Sequence, residues 1–290
     1  MRILKVIVVL GLLGVLAVGY SIWRGYRAVA LANDAWDDVH QKRYHSAIAK
    51  LEKSIRLRDD IPEAQNLLGA AYLSVDRTND AKICFLNAIA LKPSMIEAQI
   101  NLAVLYEREN NYQACLEHLD AVINSHPANP EPLWRKGSVY AELEEYDQAI
   151  RWLKMALQQD ADYVPGWYAL GYVYYRLANE KDAVAAYTRA AELSPDSAEV
   201  HYDLGFVLSK FGRYRDAIPA FQAAIRVQPD HTNAHYCVGI AYLHVGDAES
   251  AQIEYEKLKG IDRDMADRLW QQIQTEGKEP ADLPPLQITG

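Results

Sequence analysis

One distance organises this chain: similar residues recur every 34 positions, without an insertion. The segment EVHYDLGF at 199–206 has copies one period away at 165–172 (PGWYALGY) and 233–240 (NAHYCVGI). Further copies stand at 131–138, 97–104 and 63–70. A period of this length means a stacked array in which each unit buries its apolar face against its neighbours. The His, Tyr and Asp of EVHYDLGF, which resemble a catalytic kit, are therefore one instance of a repeated frame.

The frame has fixed columns. A small residue recurs as Ala35, Gly69, Ala103, Gly137, Gly171, Gly205 and Gly239. Twelve residues later come Ala47, Ala81, Cys115, Ala149, Ala183, Ala217 and Ala251, and then bulky Leu51, Phe85, Leu119, Leu153, Tyr187, Phe221 and Tyr255. Small columns let two helices approach closely, and a bulky one fills the space. Pro93, Pro127, Pro195 and Pro229 close four of the units, since proline does not continue a helix interior. Apolar residues recur at helical spacing and no window reads as period-two strand, so the expectation is all-α.

The pattern resembles the tetratricopeptide repeat (TPR) family. Trp167, Leu170, Gly171, Tyr174, Ala183, Tyr187, Ala190 and Pro195 carry the family's pattern almost complete. The resemblance implies an all-α, right-handed superhelical solenoid of seven helix hairpins: 28–61, 62–95, 96–129, 130–163, 164–197, 198–231 and 232–265. Asp34 and Asp38 make the first hairpin degenerate, and Arg263 replaces proline in the last. Ile261, Met265, Leu269 and Ile273 recur at i, i+4, which predicts a capping helix over 266–276. The tail 277–290 holds three prolines and no helical period; it reads as flexible, and as a possible short linear ligand.

Residues 1–27 read differently. Val6 to Trp23 carries no charge and would form a helix about 27 Å long, close to the thickness of a bilayer core. Tyr20 and Trp23 stand where an aromatic belt is expected, with Arg24 and Arg27 beyond. A single-pass transmembrane anchor is expected, the rival being a cleaved signal peptide with Ala17, Val18 and Gly19 as its processing site. Arg2 and Lys5 favour a cytoplasmic amino terminus and an extracytoplasmic body (periplasmic in a bacterium), while Arg24 and Arg27 pull the other way.

Net charge is −9, and residues 1–27 contribute +4, which leaves −13 for the rest. An acidic body argues against nucleic acid, whose affinity comes from clustered Lys and Arg. Three scattered cysteines form neither a disulfide framework nor a zinc motif. His231 and His235 stand at i, i+4, but His231 falls in the turn between repeats and no acid or thiol completes an obvious metal set; His201 and His235 share a column that packs hairpins together. Asp203 is read as not required by the fold. Pro219 is read as an early residue of a second helix. Glu142, Glu144 and Glu145 read as a solvated turn. With no phosphate loop and no nucleophile–base pair, neither catalysis, cofactor, metal nor small-molecule substrate is expected.

In the family, the first helices line a concave groove, and columns 2, 5, 6, 9, 12 and 13 face it. Column 5 here runs Ala32, Asn66, Ile100, Trp134, Tyr168, Tyr202 and Tyr236; column 9 adds Tyr172 and Phe206, and column 12 adds Tyr175. With Arg135 and Arg176, these residues form the expected partner-binding set, suited to a peptide or helix. Column 5 lacks lysine, so a clamp for an acidic carboxy-terminal peptide is not expected. The implied function is a membrane-tethered scaffold that binds protein partners for a cell-envelope complex. The alternative is a permanent subunit of a membrane complex, held through the convex face or the repeat edges.

Overall fold

The structure, a computed structural model, describes the backbone of residues 2–275 and the side chains of residues 18–275. The tail 277–290 lies outside them. Among the described residues there are fifteen α-helices and no strand. They are α1 (Arg2–His40), α2 (Tyr44–Leu57), α3 (Pro62–Leu73), α4 (Thr78–Leu91), α5 (Ile96–Arg108), α6 (Tyr112–Ser125), α7 (Pro130–Glu142), α8 (Tyr146–Gln159), α9 (Val164–Arg176), α10 (Glu180–Leu193), α11 (Ala198–Lys210), α12 (Tyr214–Val227), α13 (Thr232–His244), α14 (Ala248–Ile261) and α15 (Arg263–Gln274). The chain divides into two compact units, Met1–Ala128 and Asn129–Gly290.

The period is visible in the helix starts. Pro62, Ile96, Pro130, Val164, Ala198 and Thr232 open successive first helices, 34 residues apart. Each hairpin turn holds one left-handed residue: Lys42, Asp76, Asn110, Glu144, Ala178, Gly212 and Gly246. After α9, Asn179 N–H donates to Tyr174 O and Ala178 N–H to Tyr175 O, both at 2.9 Å. This capping pattern satisfies carbonyls that the helix end would orphan. Each closing proline stands two residues beyond its helix: Pro93 after Leu91, Pro127 after Ser125, Pro195 after Leu193 and Pro229 after Val227.

The two helices of a hairpin meet where the small and bulky columns face each other. A Cβ added at Gly171 would lie 2.7 Å from Tyr187 Cδ2, one at Gly205 2.7 Å from Phe221 Cδ1, and one at Gly137 2.7 Å from Leu153 Cγ. Tyr187, Phe221 and Leu153 are buried. The last hairpin breaks the rule. At Gly239 the close neighbour is Leu269 of α15, and Tyr255 instead packs on Trp270 with ring centroids 4.9 Å apart. Helix α15 thus closes the end of the second unit with Ala266 and Leu269 buried. It starts at Arg263, ahead of the expected 266, with Asp262 as its N-cap accepting from Met265 N.

Three local features differ from the sequence reading. Helix α1 runs unbroken through residue 27, where an anchor and a first hairpin were expected to meet. Most of Val6–Trp23 lies among side chains outside the described residues, and among the described residues no helix is long and apolar enough to cross a membrane. Pro219 is the sixth residue of α12, beyond the first turn, so it removes one interior backbone hydrogen bond. Asp38 is buried at the column where every later hairpin but one, which has Leu208, carries tyrosine. It accepts from Lys50 Nζ at 2.6 Å, Ser46 Oγ at 2.6 Å and the Arg43 guanidinium. These donors, Lys50 foremost, hold its carboxyl far below the usual range. A paired carboxylate replaces an aromatic ring there.

The close approach at the small column makes a direct prediction. Gly171→Ala drives a methyl into the Tyr187 ring and lowers stability by about 1–3 kcal/mol, read as a drop in the urea midpoint with unchanged m-value. An unaffected midpoint would show that the helix pair has slack at this contact.

Candidate partner-binding face

All nine expected groove residues fall in the second unit, on α7, α9, α11 and α13, and they divide by exposure. Tyr202, Phe206 and Tyr236 are 5%, 2% and 1% exposed. They are core residues, which corrects their assignment to a contact surface. The Tyr202 ring is covered by Phe221 at 5.8 Å and by the His231 ring stacked at 5.1 Å. Tyr175 packs edge-on against Phe206 at 6.2 Å, and Lys210 Nζ lies 5.2 Å from the same ring. The Arg268 guanidinium of α15 covers Tyr236 at 5.1 Å. Trp134, Arg135, Tyr168, Tyr172 and Tyr175 are half-buried, and Arg176 is exposed.

The half-buried rings are pinned rather than loose. Trp134 meets Tyr163 edge-to-face at 6.1 Å, and the Arg135 guanidinium sits 4.9 Å from the indole while bonded to Glu131 at 3.1 Å. Arg176 donates to Tyr172 Oη at 2.6 Å and to Glu144 at 2.8 Å. It lies 5.7 Å from both the Tyr172 and Tyr146 ring centres. Tyr168 meets Tyr187 edge-on at 5.4 Å, and its hydroxyl donates to the Asp203 carboxylate. Adjacent first helices α9 and α11 are therefore joined across this face by Tyr168–Asp203 and Tyr175–Phe206. Each ring is half-buried against its support.

Asp203, read from the sequence as not required by the fold, has a half-buried partner on this face. It is 1% exposed and bonded to Tyr168. Burial pushes its carboxyl up to about 7, against the opposing pull of the Tyr168 bond, and nearby Glu199 adds to the rise. A buried acid at this pKa is half charged near neutrality, an arrangement that clusters at functional surfaces. No sequence column marks it, because the neighbouring hairpins carry Ala169 and Cys237 at the same position.

The histidines of the hairpin-packing column make a further bond that column comparison missed. Trp167 Nε1 donates to Ala161 O at 2.8 Å, His201 Nε2 faces Pro195 O at 3.0 Å, and His235 Nε2 faces Pro229 O at 2.9 Å. Gln99 Nε2 donates to Pro93 O at 3.0 Å. Each ties its helix to the loop six residues earlier. The shared property of Gln, Trp and His is an N–H donor, a signal that size and hydropathy do not reveal. His235 also places Nδ1 2.6 Å from Glu254 Oε2, and Lys257 donates to the other oxygen at 2.7 Å. Burial lowers the His235 pKa, but the Glu254 and Pro229 bonds outweigh it and the net direction is up. Burial likewise raises Glu254, and His235 with Lys257 brings it net down. The pair is buried, and the contact favours the charged form of each partner. His231 caps α13, its Nδ1 accepting from Ala234 N at 3.2 Å. Among the described residues no group of three or more His, Cys, Asp or Glu side chains could hold a metal.

Paired helices in a 34-residue period, with pinned rings on one face of the first helices, define a helical-repeat protein of the protein-interaction class. Family models agree: one for the TPR repeat matches 137–177 and 181–212, and two for the tetratricopeptide repeat match 202–266 and 62–95, together more than half of the chain. The chain belongs to the tetratricopeptide repeat family. The TPR repeat-containing protein YpiA of Bacillus subtilis (strain 168) is 24% identical over 124 residues, 42% of this chain and only 29% of that protein. A tetratricopeptide repeat protein from Parabacteroides merdae shares the fold with a TM-score of 0.63 at 16% identity, over 86% of this chain and 99% of that one. Pseudomonas aeruginosa pilF gives 0.62 at 22% identity, over 76% and 99%. YrrB, described as a TPR protein with an unusual peptide-binding site, gives 0.52 at 25% identity, over 64% and 97%.

The raised Asp203 pKa fixes a pH dependence. Its folded value lies above the unfolded one, so the folded state binds the extra proton and stability falls as pH rises through about 7. Asp203→Asn keeps an oxygen for Tyr168 and removes the charge. It raises stability at pH 8 by about 1–3 kcal/mol and gives little gain at pH 4, read by urea denaturation at the two pH values. An equal effect at both would show that the carboxyl titrates normally.

Proposed function

We propose that this protein is a scaffold that captures a peptide or helical segment of a protein partner on the first-helix face of its second unit. The observation that carries this is the row of half-buried, pinned rings Trp134, Tyr168, Tyr172 and Tyr175. Such rings bury large area on binding and lose little entropy, because their supports already fix them. Arg135 and Arg176 flank them and supply donors at the rim. The likeness to YrrB supports the reading, since that protein has a peptide-binding site. The family consists of interaction scaffolds, and we read this chain as one rather than as an enzyme.

The amino-terminal stretch Val6–Trp23 supports membrane tethering, by its length and lack of charge. With the basic start it supports a body outside the cytoplasm, at work in a cell-envelope complex. A second reading, a permanent subunit held through the outer face, is favoured by one observation. Ile83 and Leu86 are exposed on α4 of the first unit, at columns where α8 carries Arg151 and Lys154.

The two readings separate by mutation. Tyr168→Ala with Tyr172→Ala weakens capture of the co-purifying partner at least tenfold while helical circular dichroism is unchanged. Ile83→Asp with Leu86→Asp leaves capture intact. The reverse pattern would move the contact to the outer face.

A further inference from the structure

Helix α1 passes without a break from the apolar stretch into the first hairpin. Its ties to the hairpin begin abruptly. The Arg24 guanidinium donates to Leu57 O at 2.6 Å, at the last residue of α2. Ser54 Oγ donates to Ala28 O at 2.7 Å, and Ala28, Leu31 and Ala35 are buried. Before that point Val18, Tyr20, Ile22 and Trp23 are exposed, and Tyr26 and Val29 continue on the outer side, Tyr26 at 78%. Further along, Asn33, Asp34 and Asp37 are exposed beside Trp36, which is 53% exposed.

Because α2 runs back along α1, its carboxy-terminal end lies beside this exit. There Lys53, Arg56 and Arg58 join Arg24 and Arg27, against Glu52, Asp59 and Asp60. Arg58 pairs with Asp60 at 2.5 Å, and Arg56 lies 3.8 Å from Glu52. Arg27, Lys53 and Arg56 are exposed. Between α1 and the end of α2 lies an open recess of about 520 Å³ lined by Ser21, Arg24, Gly25, Arg58 and Asp60.

We propose that this end of the first hairpin rests on the headgroup layer of an anionic bilayer. Tyr20, Trp23 and Tyr26 lie at the interface, and Arg27, Lys53 and Arg56 face lipid phosphates. The proposal rests on the anchor reading and goes beyond it. A tether alone would let the body sit at any height, whereas here a continuous helix and a cationic collar fix the first hairpin against the surface. Exposed aromatic rings next to cations suit the interface, with rings among the headgroups and positive charge toward anionic lipid. No flexible segment intervenes that could decouple them.

The test uses the full chain reconstituted into vesicles of phosphatidylcholine, with or without phosphatidylglycerol. Cys84, Cys115 and Cys237 are buried, so a fluorophore on Asp59→Cys or on Lys42→Cys, at the opposite end of the hairpin, labels selectively. Headgroup-spin-labelled lipid quenches the probe at 59 several-fold more than the probe at 42, and phosphatidylglycerol deepens the difference. Lys53→Glu with Arg56→Glu removes that deepening. Equal quenching at 59 and 42, in protein that floats with the vesicles, overturns the docking and leaves the anchor standing. Protein that does not float with the vesicles overturns the anchor and the docking together.

Discussion

A missing methyl group sets the geometry of four of the hairpins. At Gly69, Gly137, Gly171 and Gly205 the bulky side chain sixteen residues later lies closer than any Cβ would permit. The contact brings the two helices of a hairpin to one distance and buries Phe85, Leu153, Tyr187 and Phe221 between them. Interiors packed at this density respond to a single methylene. The repeat length, the left-handed turn residue and the closing proline all serve to present the same two columns to each other every 34 residues.

The candidate face inherits its order from that contact. Tyr187 is fixed under Gly171, and Tyr168 packs edge-on against Tyr187. The Tyr168 hydroxyl reaches Asp203 on the next first helix, so the half-buried ring is held at both ends. The arrangement has a cost, because Asp203 is buried with a carboxyl that titrates near neutrality. A chain selected for stability alone would place a neutral acceptor there.

The period made the all-helical architecture and the glycine–ring pairs legible in the sequence, because both depend on spacing within one hairpin. Exposure did not follow, since a column names a face and not what the neighbour places over it. Tyr202 is covered by His231, and Tyr236 by Arg268 from α15, a helix outside the repeat pattern. The break at Gly239 was hidden for the same reason: Tyr255 sits in the right column, but Leu269 takes its place. The N–H donors of Gln99, Trp167, His201 and His235 share chemistry without sharing size, so a comparison by bulk passed over them. The continuity of α1 was obscured by a change of composition at residue 27 that involves no change of backbone.

Site-specific photocrosslinking reads the occupied face directly. With a benzophenone side chain in place of Tyr172, in the full chain inside the cell, the account predicts a discrete adduct with a partner protein. The same group in place of Lys154, on the second helix α8, gives none. Adducts from position 154 and none from 172 would contradict capture on the first-helix face.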